Sequence, residues 1–172
     1  MGAQIAAHLA NADVETLLFD LAASGAPDAV SAAAIRNLSG IQPSPLSSSG
    51  RAASIRPCEY GRDLARLAGC DLVIEAISER PELKEALYRR VGPVLGTSTI
   101  LVTNTSGLSV NGLAVTLPDA LRRRFCGVYF FNPPRYMHLV ELIAGDETAP
   151  AILDDLEKFL VTTLGKGVIR AR

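Results

Sequence analysis

The chain has 172 residues, of which 48% are hydrophobic and 20% are charged, and its formal net charge is -1. This length suits one domain with a hydrophobic core, and the near-neutral charge gives no overall attraction to nucleic acid or to an anionic membrane. No apolar run reaches the ~18 residues of a membrane span, and the N-terminus lacks the pattern of a secretory signal. We therefore predict neither a nucleic-acid partner nor a membrane partner.

The cysteines and histidines do not have the spacing of a metal site, so we predict no metal. Three cysteines is an odd number, and we interpret Cys58, Cys70 and Cys126 as thiols in a reducing compartment. This interpretation favours the cytoplasm.

The first twenty residues are typical of a helix (residues 2–12) followed by a strand (residues 14–20) that ends in an acid. A helix packed closely on a sheet, and then a strand closed by Asp, is the second half of a dinucleotide-binding βαβ unit. Gly2 falls where the third glycine of Gly-x-Gly-x-x-Gly would stand, and Asp20 is near the expected spacing. We expect Asp20 to bind the ribose hydroxyls of NAD and to disfavour NADP. The alternative is a strand-end helix cap.

The first strand of such a unit, and its first two glycines, are not found ahead of Gly2. We therefore expect the sheet to lack its first strand, with the edges of the neighbouring strands exposed.

The rest of the chain alternates predicted helices and strands, as in a doubly wound α/β fold. Helices are predicted at residues 26–38, 62–68, 81–91, 117–124 and 146–164, and a flexible loop at 39–50. Strands are predicted at residues 53–55, 70–77, 99–103, 127–131, 137–143 and 168–169.

Polar residues follow two of these strands. Glu79 comes after the strand at 70–77, with Lys84 in the next helix, and Asn104-Thr105-Ser106 ends the strand at 99–103. The carboxyl ends of parallel strands face the ligand crevice, so Glu79 is a candidate cofactor-side group. The alternatives are a solvated helix lysine for Lys84 and a plain strand-to-helix cap for residues 104–106.

The strand at 127–131 stops at Asn132-Pro133-Pro134, because the prolines remove ladder donors. The short strand after it carries one carboxylate, Glu141, in an apolar run. Composition alone favours a solvated edge position for this acid, and the alternative is a carboxylate held for chemistry.

Gly-Val-Tyr-Phe-Phe-Asn-Pro-Pro at 127–134, followed by Leu-Val-Glu at 139–141, resembles the signature strand of 3-hydroxyacyl-CoA dehydrogenases. Residues 104–106 resemble their catalytic-serine turn, and Met-Gly near Ile-Ala at the start resembles the end of their glycine fingerprint. The resemblance covers essentially the whole chain. It implies a Rossmann-type doubly wound, mostly parallel sheet that lacks its first strand, with residues 1–172 forming the NAD-binding domain and the C-terminal helical domain absent.

The resemblance also implies NAD-dependent oxidation of 3-hydroxyacyl-CoA to 3-ketoacyl-CoA, as in fatty-acid β-oxidation. The implied catalytic positions are Ser106, Tyr129, Asn132 and Glu141. The implied cofactor-side positions are Gly2, Asp20, Glu79, Lys84 and Asn104. In this family Ser106 would donate a hydrogen bond to the substrate oxygen, and Glu141 would orient the base at position 129.

Position 129 departs from the family pattern, because relatives have histidine where this chain has Tyr129. Histidine suits a base because its pKa lies near the operating pH, whereas tyrosine has a reference pKa of about 10. We therefore expect weak or no catalysis by this chain alone. His138 is not expected to substitute, because a residue three positions from Glu141 on a strand points to the opposite face.

Two other functions stay open. The chain is either a non-catalytic nucleotide- or acyl-CoA-binding remnant or a subunit completed by a partner chain. A homodimer is expected only if a C-terminal helical domain is supplied. A lyase or a reductase on the same fold is disfavoured by the joint presence of the two motifs at 104–106 and 131–133.

Overall fold

The structure is a computed structural model that describes residues 1–23, 26 and 28–171. Among these residues the helices are α1 (Gly2–Asn11), α2 (Ala29–Asn37), α3 (Pro81–Val91), α4 (Val110–Ala114), α5 (Asp119–Arg122) and α6 (Pro150–Thr162). The strands are β1 (Thr16–Asp20), β2 (Ile55–Glu59), β3 (Leu72–Glu75), β4 (Ile100–Thr103), β5 (Phe125–Phe130), β6 (Leu139–Ile143) and β7 (Gly167–Ala171). Short 3₁₀ helices at Leu38–Gly40, Ser49–Ser54, Leu64–Gly69 and Gly92–Val94 join several of them.

The chain forms two compact units. Unit 1 contains Met1–Leu64 and Phe131–His138, and unit 2 contains Ala65–Phe130 and the chain from Leu139 onward. No helix in the described part of the chain is long and apolar enough to cross a membrane.

Unit 1 is a two-stranded parallel sheet with helices packed on it. β1 pairs with β2 from Thr16 opposite Ile55 to Asp20 opposite Glu59, so two acids stand at the carboxyl end of this sheet. Alanines of α1 let the helix approach closely, and they share one core with residues of α2 and the following loop. The buried members of this core are Ala6, Ala7, Ala10, Ile35, Leu38, Leu46 and Ile55.

Unit 2 contains a five-stranded sheet in the order β3-β4-β5-β6-β7. β3, β4 and β5 are parallel, β6 is antiparallel to β5, and β7 is parallel to β6. Helices α3, α4 and α5 contribute apolar residues to a core that includes an edge-to-face contact between Tyr88 and Phe125, with ring centroids 5.5 Å apart. The carboxyl ends of β3 and β4, where the predicted site residues lie, are thus held by a packed scaffold.

Within the described residues, β1 pairs only with β2, and β3 pairs on one side only. The expected α/β fold with a mostly parallel sheet is confirmed.

Several predicted boundaries are wrong. The strand predicted at 70–77 is limited to Leu72–Glu75, and its apolar residues are only half-buried because the strand is at an edge. The strand predicted at 53–55 begins at Ile55 and follows a 3₁₀ helix.

Local turns explain further differences. The segment predicted as a helix at 62–68 is the 3₁₀ helix Leu64–Gly69. β6 starts at Leu139, because the amides of Tyr136 and Met137 donate to the carbonyl of Pro133 in a turn, at 3.0 Å each. α6 starts at Pro150, after a turn in which the amide of Gly145 donates to Thr148 Oγ1. The predicted start of the helix at 26–38 includes Pro27, which lies outside the described residues, and α2 begins at Ala29.

Candidate functional site

The turn that follows β4 is fixed to both neighbouring strands. The Asn104 amide donates to the carbonyl of Glu75 on β3 at 2.7 Å. Asn104 Oδ1 accepts from the amide of Phe130 on β5 at 2.8 Å. Asn104 therefore ties the start of the turn to both β3 and β5.

Glu79 holds the other side of this turn. Its Oε1 accepts hydrogen bonds from the Thr105 hydroxyl and from the amides of Ser106 (2.9 Å) and Gly107 (3.0 Å). Burial by itself would raise the pKa of Glu79, but the hydrogen bonds from Thr105, Gly107 and Ser106, together with the charge of Lys84, hold it below its usual value. The Ser106 side chain is exposed, so this arrangement presents its hydroxyl to solvent.

Beneath the turn lies a buried ion pair. Lys84 Nζ is 2.7 Å from Glu75 Oε1 and 2.8 Å from Oε2, and the two side chains are 0% and 1% exposed. Lys84 Nζ also lies 3.7 Å from Glu79 Oε2. The alternative of a solvated helix lysine is therefore wrong: Lys84 is buried and reaches the turn through Glu79.

Glu75 has a complete set of partners. Its Oε1 accepts from the Ile77 amide at 2.8 Å, and its Oε2 accepts from the hydroxyls of Tyr88 and Thr103, each at 2.8 Å. Burial, and after it the charge of Glu75, raise the pKa of Tyr88, which therefore stays a donor. Neither Glu75 nor Tyr88 was predicted as a site residue from the sequence. The available signal was an acid inside an apolar strand and the four-residue spacing of Lys84 and Tyr88 on one helix face.

Tyr129 and Glu141 are directly opposite each other on β5 and β6. Directly opposed residues in an antiparallel pair have side chains on the same face, with Cβ atoms roughly 4.5–5.5 Å apart. Both residues are half-buried. The register thus places the Glu141 carboxylate beside the Tyr129 side chain.

The cap at the start of α4 is Ser109, whose Oγ accepts from the Gly112 amide at 3.1 Å. Ser106 is three residues earlier and does not perform this function. Ser109, and not Ser106, is therefore the strand-to-helix cap. Capping does not account for the Ser106 hydroxyl.

The remaining predicted site residues belong to unit 1. Gly2 is the first residue of α1, and Asp20 ends β1, where its Oδ1 accepts from the Leu21 amide at 2.7 Å. Asn132 and His138 are exposed in the segment between β5 and β6. His138 precedes β6, so the predicted strand position for it is wrong.

A doubly wound sheet with polar turns at the carboxyl ends of its strands defines a nucleotide-binding protein of the Rossmann class. The family model described as "3-hydroxyacyl-CoA dehydrogenase, NAD binding domain" matches residues 1–172, and the chain belongs to this family.

Individual relatives agree with this assignment. A probable 3-hydroxyacyl-CoA dehydrogenase of Deinococcus radiodurans is 37% identical, over 99% of this chain and 50% of the relative. The crystal structure of 3-hydroxybutyryl-CoA dehydrogenase from Escherichia coli is 32% identical with a TM-score of 0.82, over 99% of this chain and 35% of that one. The structure of (S)-3-hydroxybutyryl-CoA dehydrogenase from Ralstonia eutropha is 29% identical with a TM-score of 0.80, over 99% and 59%. The chain spans about a quarter to a half of the length of the curated relatives it matches.

NAD is the cofactor of this family's domain, and unit 1 has residues that fit it. The first turn of α1 contains no acid, so the positive end of the helix is not neutralised and suits a pyrophosphate. Asp20 is half-buried at the carboxyl end of β1, where a carboxylate suits ribose hydroxyls and disfavours a 2′-phosphate.

Proposed function

We propose that residues 1–172 are the NAD-binding domain of a protein that oxidises 3-hydroxyacyl-CoA to 3-ketoacyl-CoA. When bound, NAD accepts the hydride from the substrate's C3 carbon. In this proposal Gly2 and Asp20 bind the adenosine half of the cofactor. Glu79 and Asn104 shape the binding site of its nicotinamide half. Lys84 acts there through Glu79, because its side chain is wholly buried.

The Ser106 hydroxyl donates to the substrate's C3 oxygen in this proposal. The exposed side chain and the two turn amides fixed on Glu79 support that role. Asn132, in the signature segment, is proposed to complete the catalytic set.

The observation that carries the proposal is the register that sets Tyr129 opposite Glu141. The carboxylate is where it would orient a base and stabilise its positive charge. A neutral phenol does not take the proton of the substrate hydroxyl, because its oxygen already carries a proton. We therefore propose that the site is correctly folded but turns its substrate over slowly, because it lacks a general base. Such a base contributes roughly 10²–10⁴-fold to the rate.

A second function, favoured by the same Tyr129, is a non-catalytic binding module for a nucleotide or acyl-CoA. Such a module would bind NADH without turnover, and a partner chain would complete it. The two functions separate when histidine is placed at position 129.

The test compares NADH formation from 3-hydroxybutyryl-CoA by the chain and by its Tyr129→His variant. We expect the variant to gain roughly 10²–10⁴-fold. The matched control is Tyr129→Phe, which removes the hydroxyl but adds no base and should stay at the parent rate. Adding Glu141→Gln to the histidine variant should remove much of the gain.

Other outcomes have defined meanings. A fast parent chain would refute the idea that Tyr129 limits the rate. If histidine gives no gain while NADH still binds, the binding module is the better function.

We further propose a cytoplasmic location and a homodimer that forms only with a helical domain supplied. The odd number of cysteines, without the spacing of a metal site, supports a reducing compartment. Cell fractionation tests the location. Sedimentation of the chain with and without the helical region of a relative tests the dimer.

A further inference from the structure

The buried ion pair of Glu75 and Lys84 lies below the residues that substrate or cofactor would touch. A buried pair is tolerated when further hydrogen bonds satisfy it, and Glu75 has them from Ile77, Tyr88 and Thr103. Apolar residues of similar volume often give equal stability at such positions. Stability alone is therefore a weak reason for these charges, and their geometry suggests another.

Lys84 is held between two carboxylates. Glu75 fixes its ammonium group on one side, at 2.7 and 2.8 Å, and Glu79 Oε2 lies on the other, at 3.7 Å. The other oxygen of Glu79 accepts from Thr105, Ser106 and Gly107. A continuous line of ion pairs and hydrogen bonds thus runs from the carboxyl end of β3 to the turn that presents Ser106.

We propose that Glu75 is a positioning residue, whose carboxylate fixes Lys84 and, through it, the Glu79 side chain that shapes the Thr105–Gly107 turn. The inference rests on the proposed function, because it assigns the turn to ligand binding. Glu75 itself touches neither substrate nor cofactor. It sets where the Glu79 carboxylate stands, and Glu79 sets the direction of the Ser106 and Gly107 amides.

The backbone of Glu75 also contacts this turn, through its carbonyl and the Asn104 amide at 2.7 Å, and Glu75 pairs with Thr103 across the strands. A side-chain substitution leaves these backbone contacts in place. The start of the turn therefore stays anchored, and a change at Ser106 and Gly107 reports the side-chain route.

The first measurement needs no ligand. Glu75→Gln keeps the size and removes the charge, and the ¹⁵N–¹H resonances of Ser106 and Gly107 should move. The matched control is Tyr88→Phe, which removes one hydrogen bond to Glu75 Oε2 but keeps the ion pair, and it should leave those two resonances in place. Unmoved Ser106 and Gly107 resonances in Glu75→Gln would overturn the proposal.

The second measurement is a double-mutant cycle on NADH affinity with Glu75→Gln and Glu79→Gln. In the parent chain, Glu75→Gln should weaken NADH binding roughly tenfold, which is within the range for coupled neighbours. In the Glu79→Gln background, the same substitution should weaken NADH binding less than about twofold. Equal losses in both backgrounds would show that Glu75 acts only on the fold. The thermal midpoint of each variant is measured alongside.

The two proposals fail separately. If the parent chain binds no NADH but the two amides move in Glu75→Gln, the proposed cofactor function is wrong and the positioning role stands. If Glu75→Gln does not fold, Glu75→Asp replaces it. That variant keeps the charge but withdraws the carboxylate by one methylene, so it should move the same two amides, and no movement would overturn the proposal.

Discussion

Lys84→Met tests the energetic reasoning about the buried ion pair. The change removes the cation from a site where the Lys84 side chain is 0% exposed and leaves Glu75, at 1%, without a countercharge. Methionine has a similar flexible shape and fills the space, so little cavity cost is added. Removing one partner of a buried pair costs about 3–5 kcal/mol.

The contacts that remain set where in this range the loss falls. Tyr88, Thr103 and Ile77 still donate to the carboxylate at 2.8 Å each. Because these three donors compensate part of the stranded charge, we expect a loss of about 3 kcal/mol, at the low end. The double variant Glu75→Gln/Lys84→Met has no stranded charge, so it should be more stable than Lys84→Met by at least about 1 kcal/mol.

The assay is native-state hydrogen exchange at Leu101 and Val102, two fully buried residues of β4 in the same unit. Lys158→Met on α6 serves as the control for replacing a lysine with methionine, and it should change the free energy of opening by less than about 0.5 kcal/mol. A loss below about 1 kcal/mol for Lys84→Met would refute the reasoning, and so would a double variant no more stable than Lys84→Met.

Three other predictions follow from single contacts. Glu79 has a folded-state pKa below its ordinary 4.5. The stability that its carboxylate contributes is therefore complete above that pH and is lost as the pH falls through the folded-state pKa. The urea midpoints of the chain and of the Glu79→Gln variant should differ at pH 7 and converge toward pH 3. Gly127→Ala places a Cβ 3.0 Å from Ile143 Cβ and 3.2 Å from Val110 Cγ2, and should cost about 1–3 kcal/mol in urea unfolding, whereas Gly69→Ala, with nothing within 4 Å, should not. Asp20→Ala should weaken NADH binding roughly tenfold or more and reduce the preference for NADH over NADPH, as measured by fluorescence titration. The control Asp155→Ala, at an exposed position, should change neither the affinity nor the preference.

Local sequence patterns predicted much of the fold. The apolar run before Asn104 predicted β4, because this strand is buried in the sheet. The apolar spacing from Pro81 predicted α3, but the face that the helix buries is Lys84, Tyr88 and Val91, and Leu83 is exposed. Strand β3 was predicted too long. Its length depends on pairing with a neighbour, which the residues of the strand do not encode.

Glu79 and Ser106 follow the carboxyl ends of β3 and β4, as the sequence predicted, and their roles stay predictions. The network around Glu75 was not predicted, because it joins β3, β4 and α3 through side chains 9, 13 and 28 residues from Glu75. An acid inside an apolar strand shows that a partner is needed. Only the packing of α3 on the sheet shows that the partner is Lys84.

The pairing of Tyr129 with Glu141 is set by the packing of the residues around them. The register of β5 and β6 is fixed by the burial of Val128, Phe130, Val140 and Leu142, all at most 2% exposed. A slip of one residue would turn these side chains to the other face, so the register does not depend on the residue at position 129. The carboxylate of Glu141 therefore stays opposite whatever side chain stands there. In the Tyr129→His variant the histidine would meet a carboxylate already in place, which is why this substitution is expected to act on the rate without rebuilding the fold.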